Sequence, residues 1–181
     1  PRKEKDMVKT GVVEYPVIWL QVATCTGCSV SILNSVSPTI KNVLIDEVIP
    51  GKHLNLKFQA TIMAGQGDTV IRVLEDVPKT HKNGYVLVVE GAIPTAEGGI
   101  YGTLGEKNDR PLPMASRVET LAKDALAIIA LGTCATFGGI AAGKPNPSGS
   151  IGTDALLKSK GISKPLINVP GCPPHPDWFI N

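Results

Sequence analysis

The stretch "VATCTGCSVS" (Val22 to Ser31) sets two thiols, Cys25 and Cys28, three residues apart, directly after the apolar run "PVIWLQ". A C-x-x-C pair where a strand turns into a helix can serve as a redox dithiol, as in thioredoxin-like proteins, or as half of a zinc site. The other two cysteines lie far downstream: Cys134 follows "LAIIALG" and Cys172 follows "PLINVPG". Both runs are short, apolar and closed by glycine, so all four thiols are expected in loops at the carboxyl ends of buried strands. Open α/β sheets bind their ligands along that edge. Four thiols converging there would form one tetradentate site.

The elements that must gather them can be read from periodicity. Continuous β-branched runs predict buried strands in "PVIWLQV" (Pro16 to Val22), "YVLVVEG" (Tyr85 to Gly91), "LAIIALG" (Leu126 to Gly132) and "PLINVPG" (Pro165 to Gly171). A fifth strand is expected within "VLIDEVI" (Val43 to Ile49) and "LKFQATIM" (Leu56 to Met63), which Pro50-Gly51 separates. Helices are expected where apolar residues recur at three and four: Val30, Leu33 and Val36; Val70, Val73, Leu74 and Val77; Met114, Val118, Leu121, Ala122 and Ala125. A last short helix should be capped by Thr153 or Asp154 and end before Gly161. Alternating strands and helices predict an α/β fold: a doubly wound, flavodoxin-like parallel sheet of five strands in the order 2-1-3-4-5.

The chain of 181 residues suits one such domain, and a hydrophobic fraction of 43% with 19% charged residues describes a folded protein. Residues 1–15 read as an amino-terminal tail, with "RKEKD" (Arg2 to Asp6) a solvated mixed-sign run, and residues 16–181 as the domain. A net charge of +2 gives no basis for nucleic-acid binding. No apolar run reaches the ~20 residues of a membrane span, so a soluble chain is expected, with any presequence removed.

The cysteine pattern weighs the chemistries. Structural zinc normally uses two compact knuckles, whereas here the ligands come as two, one and one. A redox dithiol leaves Cys134 and Cys172 unexplained, and a well-cored chain does not need disulfide staples. Such dispersion favours a bulky group held by a preformed fold. A 4Fe-4S cluster on four thiolates fits, because its sulfides accept hydrogen bonds from glycine-rich turns; Gly27, Gly132, Gly138, Gly139 and Gly171 adjoin the cysteines. Zinc, thiol redox and inert buried cysteine are the alternatives.

The motifs "ATCTGCSVSILNSVSP", "VVEGAIPT", "ALGTCATFGGI", "KPNPSG" and "VPGCPPHP" occur in an order and spacing that resembles the small subunit of nickel-iron hydrogenases, from about Pro16 to Trp178. The resemblance implies a flavodoxin-like domain whose 4Fe-4S cluster, held by Cys25, Cys28, Cys134 and Cys172, lies nearest the nickel-iron centre of a separate large subunit. It implies electron transfer, with no acid, base or nucleophile supplied by this chain. A cytochrome or a further cluster-bearing subunit would accept the electrons. The location implied is periplasmic or membrane-associated through partners, or cytoplasmic. The wording "CTGCSVSILNSV" is similar to the nickel-iron-selenium branch, in which the partner carries selenocysteine. The cluster-bearing subunit of respiratory quinone reductases is the nearest rival, but that family has adjacent cysteines at the first site, where Thr26 and Gly27 intervene here. A zinc-stabilised binding module is the other alternative.

Departures from the family pattern carry expectations of their own. Members often place Glu before the first cysteine, and this chain has Thr24. Oxygen-tolerant members carry two additional cysteines where Gly27 and Gly139 stand, which implies an ordinary cluster with a single reversible one-electron step. Family members also continue for about a hundred residues with ligands for two more clusters. Glu90 is read as an acceptor for loop amides, His175 as a surface turn residue, His53 and His81 as solvated, and "AGQGD" (Ala64 to Asp68) as the start of a helix. Ile93, Phe137 and Ile140 are expected to keep water from the cluster.

Overall fold

Strand β1 (Val13–Gln21) shows how the sheet divides the core: Ile18 and Leu20 face one side and Val17 and Trp19 the other, all buried. The computed structural model describes residues 11–47 and 49–180. The Arg2 to Asp6 run lies outside the described residues, as does Val48 within the "VLIDEVI" segment. Val13 to Tyr15, assigned to the tail from sequence, already pair with Lys52 to Leu54 of β2 (Lys52–Gln59).

Five parallel strands form the sheet, completed by β3 (Val86–Glu90), β6 (Ala127–Leu131) and β7 (Leu166–Val169), in the order β2-β1-β3-β6-β7. Counting parallel strands alone, this is the expected 2-1-3-4-5. The fifth strand is therefore Lys52–Gln59, while Val43 to Ile45 belong to helix α2 (Ile40–Ile45). A capping box in which Thr39 and Asn42 bond each other's backbone N–H starts that helix where β-branched content had suggested a strand.

Helices α3 (Asp68–Thr80), α4 (Met114–Asp124) and α6 (Thr153–Ser159) bury Leu74, Val77, Val118, Leu121, Ala122, Leu156 and Leu157 against one face. Gly152, not Thr153 or Asp154, occupies the cap position of α6. The other face is thinner. There α1 (Gly27–Leu33), α2 and α7 (Asp177–Ile180) border an apolar cavity of about 200 Å³ over Trp19, Val88 and Ile129.

Two features depart from the periodic reading. Strands β4 (Thr103–Lys107) and β5 (Arg110–Pro113) form an antiparallel hairpin turned by Asn108 and Asp109, whose φ values of 54° and 58° suit a tight two-residue hairpin turn. In α1 the buried residues are Ser29 and Ile32, whereas Val30 and Leu33 are exposed and Val36, beyond the helix, is 86% exposed. The inward side of this short helix is shared between Ser29, which hydrogen-bonds, and Ile32, which packs in the core.

Candidate metal-cluster site

The register of the parallel sheet aligns Gln21 with Glu90 and Glu90 with Leu131, so β1, β3 and β6 end at one level. Each cysteine follows from there. Thr24 to Gly27 leave β1 and turn into α1, with Cys25 in the turn and Cys28 second in the helix. Thr26 adopts a left-handed φ of 66°, a strained choice for a β-branched residue, and its N–H bonds Thr24 Oγ1 at 3.0 Å. Helix α5 (Gly132–Phe137) starts directly after β6 and carries Cys134. Cys172 lies just beyond β7.

Cross-links tie these loops together. The Thr133 N–H donates to Gly171 O at 2.8 Å, and the Gly171 N–H donates to Thr133 Oγ1 at 3.1 Å, joining the Cys134 and Cys172 loops. Ser31 Oγ donates to Pro174 O at 2.7 Å, joining α1 to the Cys172 loop. A Cβ on Gly132, whose φ is +87°, would sit 2.4 Å from Cys28 Sγ, and one on Gly139, at φ +53°, would sit 2.5 Å from Cys134 Sγ. Only glycine lets these turns lie against the thiols.

All four cysteines are free, with Cys25 and Cys172 exposed and Cys28 and Cys134 half-buried. Burial pushes the Cys28 thiol up to about 12, reinforced by Glu90 and by Cys25, Cys134 and Cys172. Burial also raises Cys134, with Cys172 adding to it and a hydrogen bond from the Ile140 backbone N–H opposing it. Cys25, Cys134 and Cys172 all add to the shift at Cys28, in keeping with loops that lie along the same edge of the sheet. Bound cationic metal is what lets thiolates sit together in such a place. Among the described residues no three His, Cys, Asp or Glu side chains are close enough to hold a single metal ion. The donors present are thiols, and the glycine turns at Gly132 and Gly139 lie directly against two of them, Cys28 and Cys134.

The remaining sequence candidates are placed as follows. Glu90 is fully buried and accepts from the Ser29 backbone N–H, in keeping with its reading as an amide acceptor. His175 is exposed, 3.6 Å from Asp177, with its ring tilted at 49° to that of Trp178 and 6.4 Å from it. His81 is exposed beside Thr80. His53 is not simply solvated, because its Nε2 lies 2.9 Å from Leu44 O and its ring is half-buried. Gly67 caps α3, so "AGQGD" does start a helix. Ile93 belongs to the core, and Phe137 and Ile140 are 69% and 95% exposed. These last two do not shield the thiols within this chain. Sequence reasoning missed Trp19, Gln21, Ser29 and Gln59, which build the polar layer beneath the Cys25 loop.

Residues 25–181 match the family described as NADH ubiquinone oxidoreductase, 20 Kd subunit. The chain belongs to this family. Within it, the chain is 41% identical to the periplasmic [NiFeSe] hydrogenase small subunit of Desulfomicrobium baculatum, over 94% of this chain and 54% of the relative. It is equally 41% identical to the periplasmic [NiFe] hydrogenase small subunit 1 of Nitratidesulfovibrio vulgaris, over 92% and 48%. The structure of a reduced, active form of the D. baculatum Ni-Fe-Se hydrogenase superimposes with a TM-score of 0.86 at 40% identity, covering 93% of this chain and 60% of that one. The recombinant [NiFeSe] hydrogenase from Desulfovibrio vulgaris Hildenborough gives 0.85 at 39% identity, covering 93% and 57%. The chain spans about half the length of the curated relatives it matches. Equal identity to both kinds of relative does not separate the selenium branch from the nickel-iron one.

Proposed function

We propose that this chain is the electron-transfer subunit of a nickel-iron type hydrogenase, with residues 16–181 forming one domain that holds a 4Fe-4S cluster through Cys25, Cys28, Cys134 and Cys172. The observation that carries the reading is that four free thiols follow the ends of three parallel strands, on loops tied to one another by the Thr133–Gly171 and Ser31–Pro174 hydrogen bonds. Such a cluster, when bound, accepts and returns one electron at a time. The chain's own part is to bind, orient and tune. The turn at Gly139 brings the Ile140 N–H to Cys134, and an amide aimed at a ligand sulfur favours the more negatively charged, reduced state. Exposed Phe137 and Ile140, beside Cys134, and Trp178, beyond Cys172, form an apolar border suited to a large subunit that carries the nickel-iron centre.

The hydrogenase names of the curated relatives favour this reading over the quinone-reductase one. They also support a periplasmic location, and no helix among the described residues is long and apolar enough to cross a membrane. A cytochrome or another cluster-bearing subunit is the proposed acceptor.

The test is iron and sulfide analysis of the purified protein with Cys25→Ala, Cys28→Ala, Cys134→Ala and Cys172→Ala. Each variant should lose most of the cluster, and visible absorption that bleaches on reduction should fall with it. A colourless zinc protein, or full iron content in Cys134→Ala, contradicts the proposal.

A further inference from the structure

Glu90 ends the central strand β3 with 0% exposure. A carboxylate taken wholly out of water is costly unless hydrogen bonds replace its hydration. Four do so. Oε2 accepts from the Trp19 indole N–H at 2.8 Å and from the Ser29 hydroxyl at 2.5 Å, while Oε1 accepts from the Ser29 backbone N–H and the Thr24 hydroxyl, both at 3.2 Å.

Neighbouring groups fix the direction of the two hydroxyl bonds. The Gln21 and Gln59 amides donate to Ser29 Oγ at 3.2 and 3.1 Å, which occupies its lone pairs. The Thr26 N–H donates to Thr24 Oγ1 at 3.0 Å. Each hydroxyl is left with its proton for Glu90, so the carboxylate acts purely as an acceptor.

The positions of these partners matter more than their number. Thr24 immediately precedes Cys25, and Ser29 immediately follows Cys28. One carboxylate on the neighbouring strand therefore grips both ends of the loop that carries two of the four thiols. Thr24 supplies a neutral donor to the carboxylate and adds no charge of its own.

We infer that Glu90 is a positioning residue that clasps the Cys25–Cys28 loop, fixing the spacing of its thiols and lowering the reduction potential of the cluster through a buried negative charge. The inference rests on the cluster reading above. Adding an electron beside a fixed anion is disfavoured, and burial leaves that effect weakly screened.

The experiment uses the full chain with its partner subunit. Glu90→Gln keeps the volume, removes the charge and turns an amide against donors. The cluster midpoint potential should rise, and iron release to a chelator should accelerate about tenfold, as expected for losing a charge-assisted hydrogen bond. Ser29→Ala and Thr24→Val keep the charge, so they should speed iron release with a much smaller change in potential. In cluster-free protein, the Ser29 backbone amide should exchange with deuterium about tenfold faster in Glu90→Gln, a readout independent of metal. If Glu90→Gln fails to fold, the two hydroxyl variants carry the test. Wild-type potential and wild-type Ser29 exchange in Glu90→Gln overturn the inference, as does unchanged iron release in both Ser29→Ala and Thr24→Val. Wild-type protein that takes up no iron overturns the cluster reading instead, and the exchange of Ser29 then decides the clasp alone.

Discussion

At the scale of residues, the four thiols divide into an exposed pair, Cys25 and Cys172, and a half-buried pair, Cys28 and Cys134, with Cys28 pushed up to about 12. A thiol whose pKa is raised stays protonated below that value, and only the thiolate is nucleophilic. In cluster-free protein at pH 8, an alkylating reagent should therefore modify Cys25 and Cys172 well before Cys28. The Cys28 rate should climb about tenfold per pH unit between pH 8 and 11. Mass spectrometry of timed digests checks this, and equal labelling of Cys25 and Cys28 at pH 8 contradicts it. The cysteines were legible in the sequence because their type and flanking strands announce them. The layer beneath was not, since Trp19 and Glu90 are 71 residues apart and no local pattern links them.

At the scale of elements, the runs that became β1, β3 and β6 translated directly into the sheet because a strand buried on both faces has no polar alternation to confuse it. Helix α1 departs from its periodic reading because Ser29 and Ile32 share its inward face, while Val30 and Leu33 look outward. The β4–β5 hairpin carried a readable signal, Asn108-Asp109 between two short runs, that helix and strand periodicity passed over. The α5 turn yields a prediction. Gly139→Ala forces a side chain into φ +53° and against Cys134, and should cost about 1–3 kcal/mol. Gly27→Ala should cost less, because a Cβ there meets only Cys25 Sγ at 3.2 Å. Denaturant melts of the two variants, compared with the parent, measure the difference.

At the scale of the whole molecule, Phe137, Ile140 and Trp178, together with Val30 and Leu33 on α1 and Val36 just beyond it, are apolar side chains left in water. A permanent subunit interface of the proposed kind buries on the order of 2,000 Å² or more. Light scattering of the chain alone should show concentration-dependent association that the proposed large subunit suppresses; a stable monomer at high concentration contradicts this. The placement of the ligands has a further consequence, in time. Cys25 and Cys28 leave the ribosome early, but Cys172 follows the last strand of the sheet, which pairs with β6. A nascent chain cannot present a complete site until nearly all of this sequence has emerged and the edge strand has docked. On the proposed cluster reading, topology therefore schedules metal insertion after folding, and iron supplied too early would meet only a dithiol.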